Sequence, residues 1–309
     1  MKNVPIWVSL LIVILIGYFV YSKKPTVELS SKTTEENIEN FTRQKRCIRP
    51  PQFLAQMGIG QPVMIDLSQK RFKGIAFLYG KNMQEVLHPK IWEQYEHFST
   101  YTLDSQGNAY LAPMPFISVK QTTFNLQKNL YKLDTKTGKI EVWIHFDDVQ
   151  PSTSNPYGIN SVTYDCDDNS LWVSAIDETS YEKQKGIIYH IDIETKKILQ
   201  KIEGLDALSM YIVKSKQNKY LLVGSARDNA LYVYSFNKNK LNLKPKKLLT
   251  LPSPNEHIRK IKVKGDNHLE LQTIPFSYTL ITQTAKWDRA LYDVFWNDSK
   301  KIWTINKKR

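Results

Sequence analysis

The sequence has few cysteines, and none of them stands in a metal-binding pattern. Cys47 and Cys166 are the only two. No CxxC, HExxH or Cys/His cluster occurs, so a zinc site has no support. In an exported protein an even count permits one disulfide, whereas both thiols could equally stay unpaired. The sequence alone leaves the pairing of these two residues open.

Other absences exclude whole classes of protein. With 12 Gly and 14 Pro among 309 residues, this is not a low-complexity chain. The formal net charge is +13, and such an excess favours anionic partners such as a membrane surface or a polyanionic glycan. No arginine-rich stripe or known reading motif is present, so we expect no nucleic-acid partner.

The one long hydrophobic run is at the N-terminus. Residues 3–22 carry no charge, and Lys23-Lys24 follow them. The apolar run, about 17 residues, is at the short end for a spanning helix and also fits a signal peptide cleaved after Ser22. We predict a signal anchor or signal peptide at 1–22, with retention favoured. A polar stem at 23–59 would then carry a domain at 60–309, exported to the periplasm or cell exterior.

From residue 60 onward there is no long helical period. Short β-branched and aromatic runs alternate with Asp, Asn, Gly and Lys turns, which is typical of strands. Four units of two hairpins begin near residues 96, 157, 206 and 256, and a less complete unit spans 62–87. Four-stranded modules that repeat about every 50 residues close into a ring. The sequence therefore predicts an all-β, monomeric β-propeller of five to six blades.

A doubled segment indicates where a site would lie. "EHFSTYTLDSQGNAYLAPMPF" begins at Glu96, and "EHIRKIKVKGDNHLELQTIPF" begins at Glu256. In a propeller the innermost strand of each blade starts at the mouth of the central channel, so Glu96-His97 and Glu256-His257 should lie there. Aligning "YTLD" with "YIVK" puts Asp206 at the Glu96 position. The alternative is that these pairs cap backbone amides or bind lysines.

Loops that should reach the same mouth supply further polar groups. Carboxylates and amides around one axis suit a hard cation such as Ca²⁺, for which Glu96, Asp206 and Glu256 are the candidate ligands. A neutral histidine could act as general base on a metal-polarised water, so His97 and His257 are the candidate catalytic residues. Seven further polar residues are predicted to bind a ligand: Asn155, Asn160, Asp177, Glu178, Arg227, Asp228 and Asn229. The Arg227 guanidinium is suited to a carboxylate or phosphate.

The second unit carries a family resemblance. It has Pro156, Gly158-Ile159, Asp165, Leu171-Trp172-Val173, Gly186, Ile188-Tyr189, Ile191-Asp192 and Thr195. This pattern resembles blades of the NHL-repeat and gluconolactonase/lactonase propellers, and at the level of architecture the resemblance covers roughly 60–306. It implies a catalytic metal in the channel held by Glu, Asn and Asp. In this sequence, only Glu96, Asn155 or Asn160, and Asp206 could serve as these metal ligands.

Two functions from different classes follow from these patterns. The favoured one is an exported, membrane-anchored propeller that presents a polar face at the channel mouth to a small anionic molecule or a protein. The alternative is a calcium-dependent, lactonase- or esterase-like hydrolase that uses the same face. A purely structural envelope component is a third possibility. The acidic run at 165–169 is predicted to be a β-turn, since it lacks the glycine and distal glutamate of a calcium loop.

Overall fold

The computed structural model describes residues 41–43, 47–67, 73–115, 117–118, 121–122, 124–215, 218–237, 240–279 and 289–308. The predicted signal anchor at 1–22 lies outside these residues, as does the predicted stem up to residue 40. Within the part of the chain that is described, no helix has the length and apolar character needed to cross a membrane.

Five antiparallel sheets follow one another along the chain, preceded by a short strand and a one-turn helix. These are β1 (Phe41–Arg43) and α1 (Gln52–Gln56). Among the described residues, blade 1 has three strands: β2 (Met64–Asp66), β3 (Ala76–Tyr79) and β4 (Glu85–Leu87). Short 3₁₀ turns occur at Lys81–Met83, Lys90–Tyr95 and Phe124–Lys128.

Blades 2 to 5 are built around four strands each. Blade 2 comprises β5 (His97–Leu103), β6 (Ala109–Met114), β9 (Asn129–Leu133) and β10 (Ile140–His145), and its loop carries the ribbon β7 (Ile117–Ser118) and β8 (Gln121–Thr122). Blade 3 comprises β11 (Ile159–Asp165), β12 (Ser170–Ala175), β13 (Ile187–Asp192) and β14 (Ile198–Glu203). Blade 4 comprises β15 (Ala207–Ser215), β16 (Asn218–Ser225), β17 (Ala230–Asn237) and β19 (Lys246–Thr250), with β18 (Lys240–Leu241) beside β17. Blade 5 comprises β20 (His257–Gly265), β21 (His268–Ile274), β22 (Leu291–Asn297) and β23 (Ile302–Lys308).

Burial explains why these runs are strands. Every residue of β11 and β12 is buried, because inner strands lie between two neighbouring sheets. The outermost strand β14 is mostly exposed. Apolar cores fill successive seams between blades. Representative members, in seam order, are Phe77 and Leu111, Tyr110 and Leu171, Trp172 and Leu221, and Leu222 and Val294. The chain is a five-bladed β-propeller, which confirms the predicted fold class and settles the blade number.

The innermost strands of blades 2 to 5 share a β-bulge at one position. The pairing register shifts after Phe98, Ile159, Ala207 and Ile258. The bulged residues are therefore Ser99, Asn160, Leu208 and Arg259. Bulges of this kind re-aim side chains at a barrel rim or a site.

The shared bulge corrects the alignment made from sequence. Asp206, just before Ala207, is equivalent to His97 and His257, and not to Glu96 as predicted. The alignment matched Tyr101 with Tyr211, but Tyr101 pairs with Leu111 while Tyr211 pairs with Leu222, one step farther from the bulge. Matching side-chain types cannot detect a one-residue slip, which in a strand exchanges the two faces.

The two ends of the ring differ. Inner strands start at the mouth, so the tight turns within each hairpin lie at the opposite end, here called the lower face. Residues 41–43 and 47–59, here called the strap, lie along the lower face. Their contacts reach every blade in turn.

The strap begins at blades 4 and 5 and ends in blade 1. β1 pairs with β15, and the Phe41 ring stacks on Trp303 at 4.9 Å. A disulfide joins Cys47 to Cys166 in the lower turn of blade 3, with Cα atoms 6.1 Å apart. The Arg49 amide donates to the Asp104 carbonyl of blade 2 at 3.1 Å. Phe53 then enters the core between blades 1 and 2.

The strap answers one question that the sequence left open and corrects one expectation about the stem. The pairing that the sequence left open is resolved, because the two cysteines are joined. The described residues of the predicted stem, in turn, are packed on the ring rather than extended away from it. Their apolar side chains account for this, since Phe41, Phe53 and Leu54 are each buried.

Candidate functional site

The doubled Glu-His pairs occupy equivalent places in blades 2 and 5. Each glutamate directly precedes an inner strand, and each histidine is the first residue of that strand. His97 pairs with Met114, and His257 pairs with Ile274. The repetition is thus a blade plan, and both pairs lie at the mouth as predicted.

Both glutamates are held by lysines. Glu96 lies 2.9 Å from the Lys73 ammonium, and Glu256 lies 2.6 Å from that of Lys307. Glu256 also accepts a hydrogen bond from the Tyr292 hydroxyl. Burial and this carboxylate together raise the pKa of Tyr292. In the described residues no contact joins the two glutamates, and the arrangement matches the lysine-bound alternative stated above.

The two histidines share an environment. Each is 8% exposed, and burial lowers the pKa of both imidazoles below the usual value. They are therefore neutral near pH 7, which is the form that a general base requires. The His257 ring lies against Phe276, with centroids 5.8 Å apart. The structure does not test whether either histidine is catalytic.

Asp206 is the centre of a buried polar network. Its Oδ1 accepts from the Thr179 hydroxyl at 2.9 Å and the Gly186 amide at 2.8 Å. Its Oδ2 accepts from the Tyr278 hydroxyl at 2.7 Å and faces Arg227 Nη1 at 3.4 Å. Both carboxylate oxygens are thus satisfied by protein donors. Asp206 fixes the loop between β12 and β13 against blade 4.

Arg227 and the three asparagines also bind the backbone. Arg227 donates to the carbonyls of Ser180 and Tyr181. Asn155 donates to those of Ile176 and Thr179, Asn160 to those of Ala207 and Leu208, and Asn229 to those of Leu251 and Ser253. Amides used in this way set loop positions around the mouth.

The other predicted carboxylates have different surroundings. Asp177 is buried, accepts the Gln150 amide at 2.7 Å, and has its pKa raised by burial. Glu178 is exposed and pairs with Lys185. Burial raises the pKa of Asp228, but hydrogen bonds from Tyr232 and Ser225 outweigh this and hold it below its usual value.

The predicted calcium site gains no support from this geometry. Among the described residues, no group of three or more His, Cys, Asp or Glu side chains could hold a metal ion. The calcium prediction remains untested. The acidic run at 165–169 is a turn, as expected, and its Asp165 and Asp167 pair with Lys219 and Lys214.

One residue of the mouth was missed in the sequence. Arg259 occupies the bulge of β20, and its Nη1 donates to the Leu208 carbonyl at 3.0 Å. Burial and the neighbouring Arg289, only partly offset by Tyr157, lower its pKa to about 10. No carboxylate in the described residues forms an ion pair with Arg259. The sequence offered one indication, because Arg259 falls within the doubled segment at the position where the first copy has Ser99.

An apolar cluster lies at the mouth, and this arginine contacts its member Leu208. Tyr157, Leu208, Phe276 and Tyr278 belong to one buried cluster at the mouth. The ring of Tyr157 lies 5.2 Å from that of Phe276. Aromatic walls with a few convergent charged groups are typical of small-molecule sites. A guanidinium in such a place suits a carboxylate or phosphate.

Comparisons with known proteins add only a fold likeness. No family model matches the chain, and no curated protein matches it. The chain is similar to a solved structure described as a candidate gluconolactonase, with a TM-score of 0.48, 13% identity, and 93% of this chain and 97% of that chain covered. It is also similar to dihydro-heme d1 dehydrogenase NirN in complex with DHE, with a TM-score of 0.41, 10% identity, and 77% and 43% covered. At these values neither likeness bears on activity.

Proposed function

We propose that this chain is an exported, membrane-anchored propeller that binds a small anionic molecule at its channel mouth. The observation that carries the proposal is Arg259, a partly buried cation beside a second arginine. No ion pair of Arg259 occurs among the described residues. A desolvated cation without a counter-charge is costly, and a bound carboxylate or phosphate would offset that cost.

The surrounding groups support a binding role. Arg227 is already committed to two backbone carbonyls and Asp206, so it positions a loop and leaves Arg259 to meet the ligand. The aromatic cluster around Tyr157 and Phe276 would cover the apolar part of a ligand. The strap occupies the lower face, so ligand would enter from the mouth.

Export and anchoring have separate support. The disulfide between Cys47 and Cys166 fits an oxidising compartment. The uncharged run at 3–22 fits an anchor or a signal peptide. Cell fractionation with sequencing of the mature N-terminus tests both. Cytosolic protein would refute export, and a mature chain that begins at Lys23 would refute the anchor.

Calorimetric titration with citrate and inorganic phosphate tests the ligand site. We expect wild-type protein to bind at least one of them, and Arg259→Gln to weaken binding about tenfold or more, as expected for a lost charged hydrogen bond. Arg49→Gln removes one exposed arginine from the lower face and should leave affinity unchanged. Equal affinity in wild type and Arg259→Gln would refute this site, as would no binding of either anion.

The hydrolase alternative has less support. Its metal would need carboxylate oxygens that are available, whereas those of Asp206 already accept protein donors. Metal analysis of protein purified without chelator tests it. Stoichiometric calcium would favour the hydrolase over the simple binding module.

A further inference from the structure

The lower face carries a repeating pattern of exposed lysines. The outer hairpin turn of each of blades 2 to 5 carries two exposed lysines. In blade order these are Lys136 and Lys139, Lys196 and Lys197, Lys240 and Lys244, and Lys300 and Lys301. The pattern repeats around the rim, so the positive charge is spread over one surface.

Three of the four carboxylates in the same turns accept hydrogen bonds from their own hairpins, whereas the fourth, Glu194, is exposed and accepts from Asn169 at 3.4 Å. Asp134 Oδ1 accepts from the amide and hydroxyl of Thr137, and Asp192 Oδ1 does the same with Thr195. Asp298 accepts the Trp296 indole N–H at 2.9 Å. These acids are oriented back toward the chain, whereas the lysine side chains are exposed. The outward surface is therefore more basic than the composition of the turns suggests.

An exposed apolar side chain accompanies these lysines. Leu243 is 61% exposed and lies between Lys240 and Lys244 in the outer turn of blade 4. An apolar residue flanked by lysines is the chemistry of a membrane interface, where the apolar group enters the headgroup boundary and the cations meet anionic lipids.

The path of the chain favours a membrane as the partner of this surface. The described chain begins at Phe41, which lies on the lower face against Trp303 and the turn at Asn267. The apolar run at 4–20 precedes that point in sequence. A membrane anchor in this run would therefore be joined to the ring at its lower face.

We propose that the lower face docks on an anionic lipid surface, with the lysine-bearing outer turns among the headgroups and Leu243 at the acyl boundary. The mouth then faces away from the membrane and stays open to ligand. The proposal goes beyond the anion site, because it uses the opposite end of the ring. It rests on membrane association but needs no ligand at the mouth.

A fluorescent probe at position 243 tests the proposal. The full chain with Leu243→Cys is labelled with an environment-sensitive dye; the native cysteines are paired, so the label reports one position. The labelled chain is reconstituted into vesicles of phosphatidylcholine alone, or of phosphatidylcholine with phosphatidylglycerol. The matched control is Tyr181→Cys, which places the label at a 59% exposed position on the mouth side.

We expect a blue shift at position 243 in the anionic vesicles, reduced by high salt and by adding Lys240→Gln with Lys244→Gln. Position 181 should show no shift in either lipid. Identical spectra at position 243 in both lipids would overturn the proposal. A shift at position 181 would do so as well, because the mouth would then face the membrane. Citrate titration of the same sample in detergent reports separately on the mouth site.

Discussion

The two ends of the ring are held together in different ways. At the lower end the strap crosses the blades, with strand pairing, a disulfide and apolar anchors as its contacts. At the mouth, hydrogen bonds of buried side chains hold neighbouring blades together, and Asp206 accepts several of these bonds. Because contacts of the strap hold the lower end together, its exposed side chains can be substituted without disrupting the fold. At the mouth, the proposed ligand site lies beside residues that hold loops in place, such as Asp206 and Arg227.

Ion pairs occur at both ends, but a partly buried cation without an ion pair among the described residues lies at the mouth. In the lower turns of blades 3 and 4, Asp165 and Asp167 are matched by Lys219 and Lys214. At the mouth, Arg259 and Arg289 are neighbours, and Arg259 has no ion pair among the described residues. Substitutions at the two ends should therefore differ in how much they change stability and citrate affinity.

The largest effect is expected for Asp206→Asn. The change replaces an acceptor oxygen by a donor amide amid four buried or half-buried donors, and removing one member of such a network costs about 3–5 kcal/mol. Denaturant unfolding measures this loss. The matched control is Asp147→Asn, at a side chain that is 99% exposed. Equal stability of the two variants would mean that Asp206 does not organise the mouth.

Removal of the disulfide between the strap and blade 3 should cost somewhat less stability than Asp206→Asn. Cys47→Ser with Cys166→Ser opens a link between residues 119 apart in sequence, and loss of a native disulfide costs typically about 2–4 kcal/mol. A reductant should lower the melting temperature of wild type and leave the double variant unchanged. Citrate affinity should be retained in both. A loss of affinity would contradict the separation of the two ends.

A smaller effect concerns pH. Burial lowers the pKa of His97 and His257 in the folded chain, so the unfolded chain binds more protons as pH falls. Their contribution to stability is complete above the unfolded pKa of about 6.5 and declines as pH falls through it toward the lowered folded values. His97→Gln with His257→Gln should flatten the stability profile in that window. An unaltered profile in the double variant would contradict the burial argument.

The smallest effects are expected at the doubled glutamates. Glu96→Gln loses a partly exposed ion pair with Lys73, worth about 0–1 kcal/mol. Glu256→Gln should cost slightly more, because Tyr292 also donates to that carboxylate. Melting curves at low and high salt compare the two copies. A clear gain in stability from either change would mean that the carboxylates repel their surroundings, as unliganded metal ligands would.

The repeating hairpins made much of the fold predictable. Turn spacing and the doubled segment located the blades and brought both Glu-His pairs to the mouth. The partners of those glutamates were not predictable, because Lys73 and Lys307 lie 23 and 51 residues away. The strap was missed for a similar reason, since its contacts join blades that are distant in sequence and follow no local period. Arg259 was missed because its role depends on a bulge register that side-chain types do not reveal.

Hydrogen exchange with and without citrate tests most directly whether the mouth binds ligand without involving the strap. We expect citrate to slow exchange in the mouth segments around 157–160, 206–209 and 257–260, with the strap at 47–59 unaffected. The Arg259→Gln variant should lose that protection while keeping the exchange pattern of the free wild type. Protection centred on the strap or the lower turns would contradict the account, as would citrate protection that survives in Arg259→Gln.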